Sequence, residues 1–265
     1  MFTERSIWLF AILRKAVFML YIRCNRFCFD MDRIDKILAS QNYGSRKQVS
    51  QIIKSGVVEV NGEVCKSISQ KVNPDTDVIT VDGRKIEYRQ HLYIMMNKPS
   101  GVVSASSDKR DKTVIDLLPE NLRRKGLFPA GRLDKDTEGL LIITDDGEFA
   151  HQMLSPAKKV YKKYFARLDK PVTEEMKEKF EKGIVFSDGT RCKTAFFEET
   201  DDSMCAFVSI CEGKFHQVKK MFLVCGANVV YLKRIAIGKL QLDQNLAPGE
   251  ARELENCEKH LILFV

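Results

Sequence analysis

The chain has 265 residues, enough for one large domain or two modest ones with buried cores. Its composition, 44% hydrophobic and 30% charged, is that of an ordinary soluble globular protein, and no internal repeat or low-complexity tract is visible. The formal net charge of +7 is too small to establish a nucleic-acid partner, so the placement of the basic residues matters more than their number.

Residues 1–30 differ from the rest of the chain. Their apolar run is broken by Arg14 and Lys15, so it is too short for a membrane span, and no secretory cleavage pattern is present. We expect either a start codon assigned too early or an amphipathic or targeting extension. The domain prediction therefore begins at Met31.

A small helical domain is predicted first, over residues 31–88. Apolar spacing over 34–38 indicates one helix, and Ser45 is placed as the N-cap of a second helix over 46–54. An alternating strand over 57–60 and a tight Asn-Gly turn follow. Five basic side chains stand against two acidic ones between Met31 and Gly56, the basic ones being Arg33, Lys36, Arg46, Lys47 and Lys54.

The segment "RIDKILASQNYGSRKQVSQIIKSGVVEVNG" resembles an S4 RNA-binding domain. The resemblance implies that these five basic side chains, together with Ser45, contact RNA. Such phosphate contacts would position the domain without reading sequence. From the residues alone, a solvated helical face is the alternative.

A linker over 87–91 leads to a second domain, expected over 92–257, with 258–265 as a C-terminal tail. It opens with an apolar strand over 92–96 and a turn, and a second buried strand is predicted at Leu140–Ile143, closed by an Asp-Asp-Gly turn. Short alternating strands separated by turns, with few long helices, predict an α+β fold with a mixed, largely antiparallel sheet.

A dense charged run precedes the Leu140–Ile143 strand. A carboxylate at the mouth of a buried strand, beside an arginine, is held rigidly. The run "GRLDKDTEGLLIITDDG" resembles the active-site motif of pseudouridine synthases, which isomerise uridine in RNA, and "NKPSGVV", "TVIDLLP" and "GLFPAGRLD" match the same family. The resemblance places Asp134 on the catalytic aspartate. A surface ion pair is the alternative for this residue.

A second motif, "EGKFHQVKKMF", resembles the "EGRYHQVKRMF" signature of the same family. The resemblance implies that Lys219 pairs with the catalytic aspartate, although a helical start that touches RNA phosphates is also compatible with the residues. RNA contacts are expected from four neighbours, Lys214, His216, Gln217 and Lys220.

The family also carries a tyrosine at the start of a strand, and Tyr164 occupies that place in "KKVYKKYFARL". Its ring would stack on a flipped uracil and its phenol would take the C5 proton. Tyr161 is the competing assignment, and a core aromatic without a role is the third. Arg132 is implied to help displace the target nucleotide, with a structural salt bridge to Asp136 or Glu138 as its alternative.

Local matches favour the RsuA type of this family, which modifies 16S rRNA of the small ribosomal subunit. Relatives acting on 23S rRNA carry "NRQVRR" where this chain has "FHQVKK". The expected partner is therefore ribosomal RNA, free or in an assembly intermediate, bound by a monomer without a membrane partner. The alternatives are a 23S enzyme, a non-catalytic S4 ribosome-binding protein, and a glycosidase using Asp134 and Asp136.

Neither a cofactor nor a metal is implied. The eight cysteines form no CxxC pair, and the four histidines do not pair with them at ligand spacing. No "GxxxxGK" phosphate loop is present, so no nucleotide cofactor is expected. The thiols are expected to be reduced, which indicates a cytoplasmic protein.

Overall fold

The computed structural model describes residues 31–263, so the two predictions for residues 1–30 lie outside the described part. The chain divides into two compact units, one ending at Tyr88 and the other beginning at Arg89. Within 31–263, no helix combines the length and the apolar character that crossing a bilayer requires.

Within residues 31–88, the first unit contains two short helices and six short strands. They are β1 Asp32–Arg33, α1 Ile34–Ser40, α2 Arg46–Lys54, β2 Val58–Val60, β3 Glu63–Val64, β4 Lys71–Val72, β5 Ile79–Val81 and β6 Arg84–Lys85. β1 pairs with β4, and the other four strands form an antiparallel sheet in the order β3-β2-β5-β6.

The helices of the first unit form where the sequence predicts them. Ser45 caps α2: its hydroxyl accepts the Gln48 N–H at 3.4 Å, and the Gln48 side chain accepts the Ser45 N–H at 2.8 Å. The apolar faces of both helices, with Ile37 and Val49 fully covered, pack against the small sheet. The two predicted helices and their N-cap are thus confirmed.

As far as residue 263, the second unit has nine strands, four helices and a short 3₁₀ turn at Glu120–Leu122. In chain order they are β7 Tyr93–Lys98, β8 Phe128–Ala130, β9 Glu138–Thr144, α3 Gly147–Leu154, β10 Lys162–Leu168, α4 Glu174–Lys182, β11 Phe196–Glu199, β12 Cys205–Ile210, α5 Gln217–Val224, β13 Val229–Ile237, β14 Leu240–Gln241, β15 Ala251–Glu253 and α6 Asn256–Leu263.

All nine strands belong to one sheet. Its order is β11-β12-β10-β13-β9-β7-β15, with β14 on β13 and β8 on β9. Every pairing between these strands is antiparallel except β13 with β9, which is parallel. The expected α+β class with a mixed, largely antiparallel sheet is confirmed.

β9 lies inside the sheet and is covered on both faces. Leu141 and Ile143 belong to one apolar cluster, and Leu140 and Ile142 to the other. Because neighbouring residues of a strand point to opposite faces, an uninterrupted apolar run is what a strand buried on both sides requires. The apolar run Leu140–Ile143 therefore accounts for the position of β9 inside the sheet.

The end of the chain corrects one prediction. Residues 258–265 were expected to form a tail, but α6 extends over Asn256–Leu263 and buries Ile262 completely. Arg252 of β15 makes an ion pair with Glu258 at 2.7 Å. Because α6 is short and weakly periodic, only packing against the sheet reveals it.

Candidate active site

Asp134 lies in the turn between β8 and β9. The Thr137 N–H donates to the backbone carbonyl of Asp134 at 3.1 Å, which closes the turn immediately before β9 begins. The Asp134 side chain is 27% exposed, so its carboxylate can be reached from solvent while its backbone is fixed.

Lys98, at the end of β7, is hydrogen-bonded to the backbone of this turn. The side chain is completely buried, and its ammonium donates to three backbone carbonyls: Pro99 at 2.9 Å, Lys135 at 3.2 Å and Thr137 at 2.8 Å. Burial lowers the pKa of Lys98 to about 8, against the attraction of nearby carboxylates. Two of the three acceptors belong to the Asp134 turn, so this lysine fixes its path.

Ser104 holds the other side of the turn. Its buried hydroxyl donates to the Leu133 carbonyl at 3.0 Å and accepts the Leu133 N–H at 3.1 Å. Asp134 is therefore flanked by two anchors, Lys98 at the end of β7 and Ser104 in the segment that follows this strand. A carboxylate on a backbone fixed in this way needs little reorganisation before it acts.

Two cationic or protonatable side chains from the start of α5 reach Asp134. The His216 Nε2 lies 3.5 Å from Asp134 Oδ1, and the Lys219 Nζ lies 3.4 Å from Asp134 Oδ2. Lys219 also makes a shorter contact, 2.6 Å, with Asp136 Oδ1, and this hydrogen bond lowers the pKa of Asp136. The structure thus brings Lys219 to Asp134, as the motif predicts, but shares it with a second carboxylate.

The loop before α5 is built around the buried Glu212. This carboxylate accepts from Lys214 Nζ at 2.5 Å, from Gln217 Nε2 at 2.8 Å and from the Lys193 N–H at 2.9 Å. Gln217 is only 4% exposed, which corrects the prediction that it contacts RNA: its amide positions the loop instead. Lys214 is likewise engaged in the protein by its ion pair with Glu212.

Tyr164 lies on β10, 8% exposed, next to a buried arginine of β13. Arg234 donates its Nε–H to the Leu140 carbonyl at 2.7 Å, and its Nη1 lies 3.5 Å from the Tyr164 hydroxyl. The buried Nη2 has no partner among residues 31–263. Tyr161, the competing assignment, packs its ring on Phe196 at 4.9 Å. Of these two tyrosines, only Tyr164 is therefore linked through Arg234 to β9, the strand that follows Asp134.

Arg132 is exposed and has no hydrogen bond or ion pair within the described part of the chain. The two carboxylates considered as its salt-bridge partners are engaged elsewhere. Asp136 contacts Lys219, and Glu138 accepts the Tyr231 hydroxyl at 2.8 Å. The structural salt bridge is thus not formed, and the Arg132 guanidinium remains available two residues from Asp134.

The predicted RNA contacts of the first unit fall into two groups. Arg33 and Lys36 form exposed ion pairs with Asp35 and Asp32, at 2.9 and 2.8 Å. A second group is exposed and makes no ion pair within residues 31–263, namely Arg46, Lys47 and Lys54 of α2. The Ser45 hydroxyl is occupied in the N-cap described above, so the structure gives it a structural role.

The sequence motifs pointed to Asp134, Lys219 and Tyr164 but assigned no role to Lys98, Ser104 or Arg234. A lysine at the end of an apolar strand is a signal that could have been used, because a buried ammonium must find acceptors. No group of three His, Cys, Asp or Glu side chains within 31–263 is arranged to hold a metal. The site thus contains a carboxylate, Asp134, beside the His216 imidazole and the Lys219 ammonium.

Comparison with known proteins identifies the family of both units. Residues 92–223 match the family model for RNA pseudouridylate synthase, and residues 32–78 match the S4 domain. An uncharacterised RNA pseudouridine synthase of Bacillus subtilis, YtzG, is 47% identical over 87% of this chain and 98% of its own length.

The names of two further relatives specify a ribosomal subunit. Ribosomal small subunit pseudouridine synthase A of Vibrio cholerae is 39% identical, over 85% of this chain and 97% of its own. Ribosomal large subunit pseudouridine synthase B of Bacillus subtilis is 35% identical, over 84% and 92%. A crystal structure of a pseudouridylate synthase superposes with a TM-score of 0.61 at 34% identity, covering 87% of this chain and 99% of that one. The chain therefore belongs to the family of S4-containing RNA pseudouridine synthases that includes both of these ribosomal enzymes.

Proposed function

We propose that this enzyme isomerises a uridine of ribosomal RNA, and that its substrate is the 16S rRNA of the small subunit. The observation that carries the catalytic part is the contact between Asp134 and Lys219, 3.4 Å apart, on two segments separated by 85 positions. Both segments belong to the motifs that resemble this family, and the fold brings their charged groups together.

The reaction breaks the bond between N1 of uracil and C1′ of ribose, turns the base and joins C5 to C1′. We assign Asp134 the role at the sugar, either attacking C1′ or first removing a ribose proton. The Lys219 ammonium and the His216 imidazole both lie within 3.5 Å of that carboxylate, where they can contact it during the reaction. Tyr164 is assigned to the base, and Arg132 to the displacement of the nucleotide from its stack.

The choice of 16S rRNA rests on two observations. The "FHQVKK" sequence at the start of α5 matches the small-subunit type, and the relative with that name is 39% identical. A large-subunit enzyme is 35% identical, so 23S rRNA is the second candidate. The exposed basic side chains of α2 suit phosphate contacts with either RNA.

Carbodiimide mapping of rRNA tests both parts. Ribosomal RNA from a strain lacking this gene is incubated with wild-type protein, with Asp134→Ala, or with Lys135→Ala. Lys135 is the matched control because it adjoins Asp134 but points to an exposed ion pair with Asp111. We expect one new 16S adduct with wild type and Lys135→Ala, and none with Asp134→Ala. A new adduct in 23S rRNA alone would overturn the 16S assignment, and no adduct in either RNA would overturn the rRNA proposal.

A further inference from the structure

An exposed aromatic pair stands beside Asp134. The Phe215 side chain is 72% exposed, although phenylalanine contributes favourable free energy mainly when it is covered. Its ring is stacked on that of His216, with centroids 3.8 Å apart and an angle of 19° between the planes. Since His216 Nε2 lies 3.5 Å from Asp134, the stack begins at the reactive carboxylate and extends into solvent.

The loop that carries this pair is fixed by hydrogen bonds to the buried Glu212. Glu212 on one side is buried and binds Gln217 on the other, so the loop is closed beneath the two rings. His216 itself adopts the left-handed conformation, with φ +50°, immediately before α5 begins. A ring fixed before binding loses little conformational freedom when a ligand covers it.

The surroundings of the ring indicate the kind of ligand. The Lys220 ammonium lies 5.1 Å from the Phe215 ring centre, so a flat apolar surface and a mobile positive charge are presented together. A nucleotide offers the complement of both, a base face and a phosphate. A base that covers the ring would displace the Lys220 ammonium. The lysine side chain is long enough for this ammonium to contact a phosphate of the RNA instead.

We propose that Phe215 and His216 form a stacking platform for the base next to the target uridine. This inference rests on the proposed function, because it requires that a uridine is extruded at Asp134. Extrusion deprives the neighbouring base of a stacking partner. The exposed Phe215 ring replaces that partner, so the platform stabilises the opened RNA and restricts which neighbours are accepted.

A double-mutant cycle tests the contact between ring and base. The substrate is a synthetic rRNA fragment around the mapped uridine, intact or with an abasic nucleotide on its 5′ or 3′ side. The proteins are wild type, Phe215→Ala, Phe215→Tyr and Phe196→Ala. Phe196 is the matched control, because it is also an exposed phenylalanine, 59% exposed, but its ring is occupied by Tyr161.

On intact RNA, Phe215→Ala should lower kcat/KM roughly tenfold, mainly through KM, because stacking contributes that much binding. Phe215→Tyr should retain activity, Phe196→Ala should be unaffected, and all melting temperatures should agree. With one of the two abasic RNAs, the kcat/KM of wild type should fall by the same factor. The kcat/KM of Phe215→Ala should not fall further on that RNA. This non-additivity would identify the contacted neighbour.

Three results would overturn the platform while leaving the proposed function intact. The first is an unchanged kcat/KM of Phe215→Ala on intact RNA. The second is that the loss from Phe215→Ala multiplies with the loss from each of the two abasic substitutions, which would mean that the ring contacts neither neighbouring base. A loss seen on ribosomal particles but not on the RNA fragment would also overturn it, and would place a protein on the ring. Failure of the proposed function gives a different result, namely that wild type forms no pseudouridine.

Discussion

Lys219 lies closer to Asp136 than to Asp134, at 2.6 and 3.4 Å. The Asp136 side chain is 71% exposed and that of Asp134 only 27%, so the shorter of the two ion pairs is the one that water screens more. Asp136 therefore holds the Lys219 ammonium by a direct hydrogen bond, 2.6 Å long, at a position from which it also reaches the more covered Asp134.

The two partners of Lys219 should differ in their effect on the reaction. Lys219→Met should lower kcat roughly 100-fold, since a preorganised charge beside the reacting group is lost. Asp136→Asn should change kcat less than about threefold, because its exposed ion pair contributes little. Single-turnover kinetics on the modified rRNA measure both values, and equal losses in the two variants would contradict the separation of roles.

Lys98 should act on the reaction by holding the Asp134 turn. Lys98→Met should lower kcat roughly 10- to 100-fold with a small change in KM, since a small displacement of the carboxylate is costly. Lys162 of β10 provides the control, because it is also a buried lysine and its ammonium donates to the Met153 and Val160 carbonyls. Lys162→Met, which leaves the turn untouched, should retain more activity than Lys98→Met.

Lys98 should also make stability depend on pH. Its pKa is about 8 in the folded protein against 10.5 for a free side chain, so the unfolded chain binds more protons between these values. The free energy of unfolding should therefore rise with pH from about 8 to 10.5, by at most about 1.4 kcal/mol per pH unit from this group. Denaturant titrations of wild type and Lys98→Met should diverge over that range, and a constant difference would show that Lys98 does not titrate there.

Tyr164 and Tyr161 can be separated by removing one hydroxyl at a time. Tyr164→Phe should lower kcat while leaving KM and the melting temperature nearly unchanged, because the ring stays in place and only the contact with Arg234 is lost. Tyr161→Phe should behave as wild type, since its ring packs on Phe196. The reverse pattern of kcat values would move the assignment to Tyr161.

Gly139 should tolerate no side chain. Its φ is +98°, and a Cβ would lie 2.2 Å from the Arg234 carbonyl oxygen across the parallel pairing of β9 and β13. Gly139→Ala should lower the free energy of unfolding by roughly 2–4 kcal/mol or prevent folding. Gly147→Ala is the control: nothing lies within 4 Å of its added Cβ, and it begins α3, so stability should stay the same or rise slightly. Similar melting temperatures for both variants would contradict the close approach.

Features encoded by near neighbours were predictable from the sequence. The capping of α2 by Ser45 depends on a residue three positions away, and the burial of β9 follows from the apolar run Leu140–Ile143. Asp134 and Lys219 were identified by their motifs, and their proximity was implied by the family resemblance. The sequence alone thus determined the two-part organisation, the α+β class and the principal charged groups.

Only the tertiary structure decided how those groups are supported. The order of the strands in the sheet allows Lys98 to donate hydrogen bonds to the carbonyls of Lys135 and Thr137. It also brings the Arg234 guanidinium to the Tyr164 hydroxyl. Packing of the loop before α5 buries Gln217, which the motif alone had predicted to contact RNA. These contacts join positions that are distant in sequence or depend on which face of an element is covered. Residue spacing and composition do not encode such long-range contacts or the burial of a particular face. Both depend on strand register and on how the core packs.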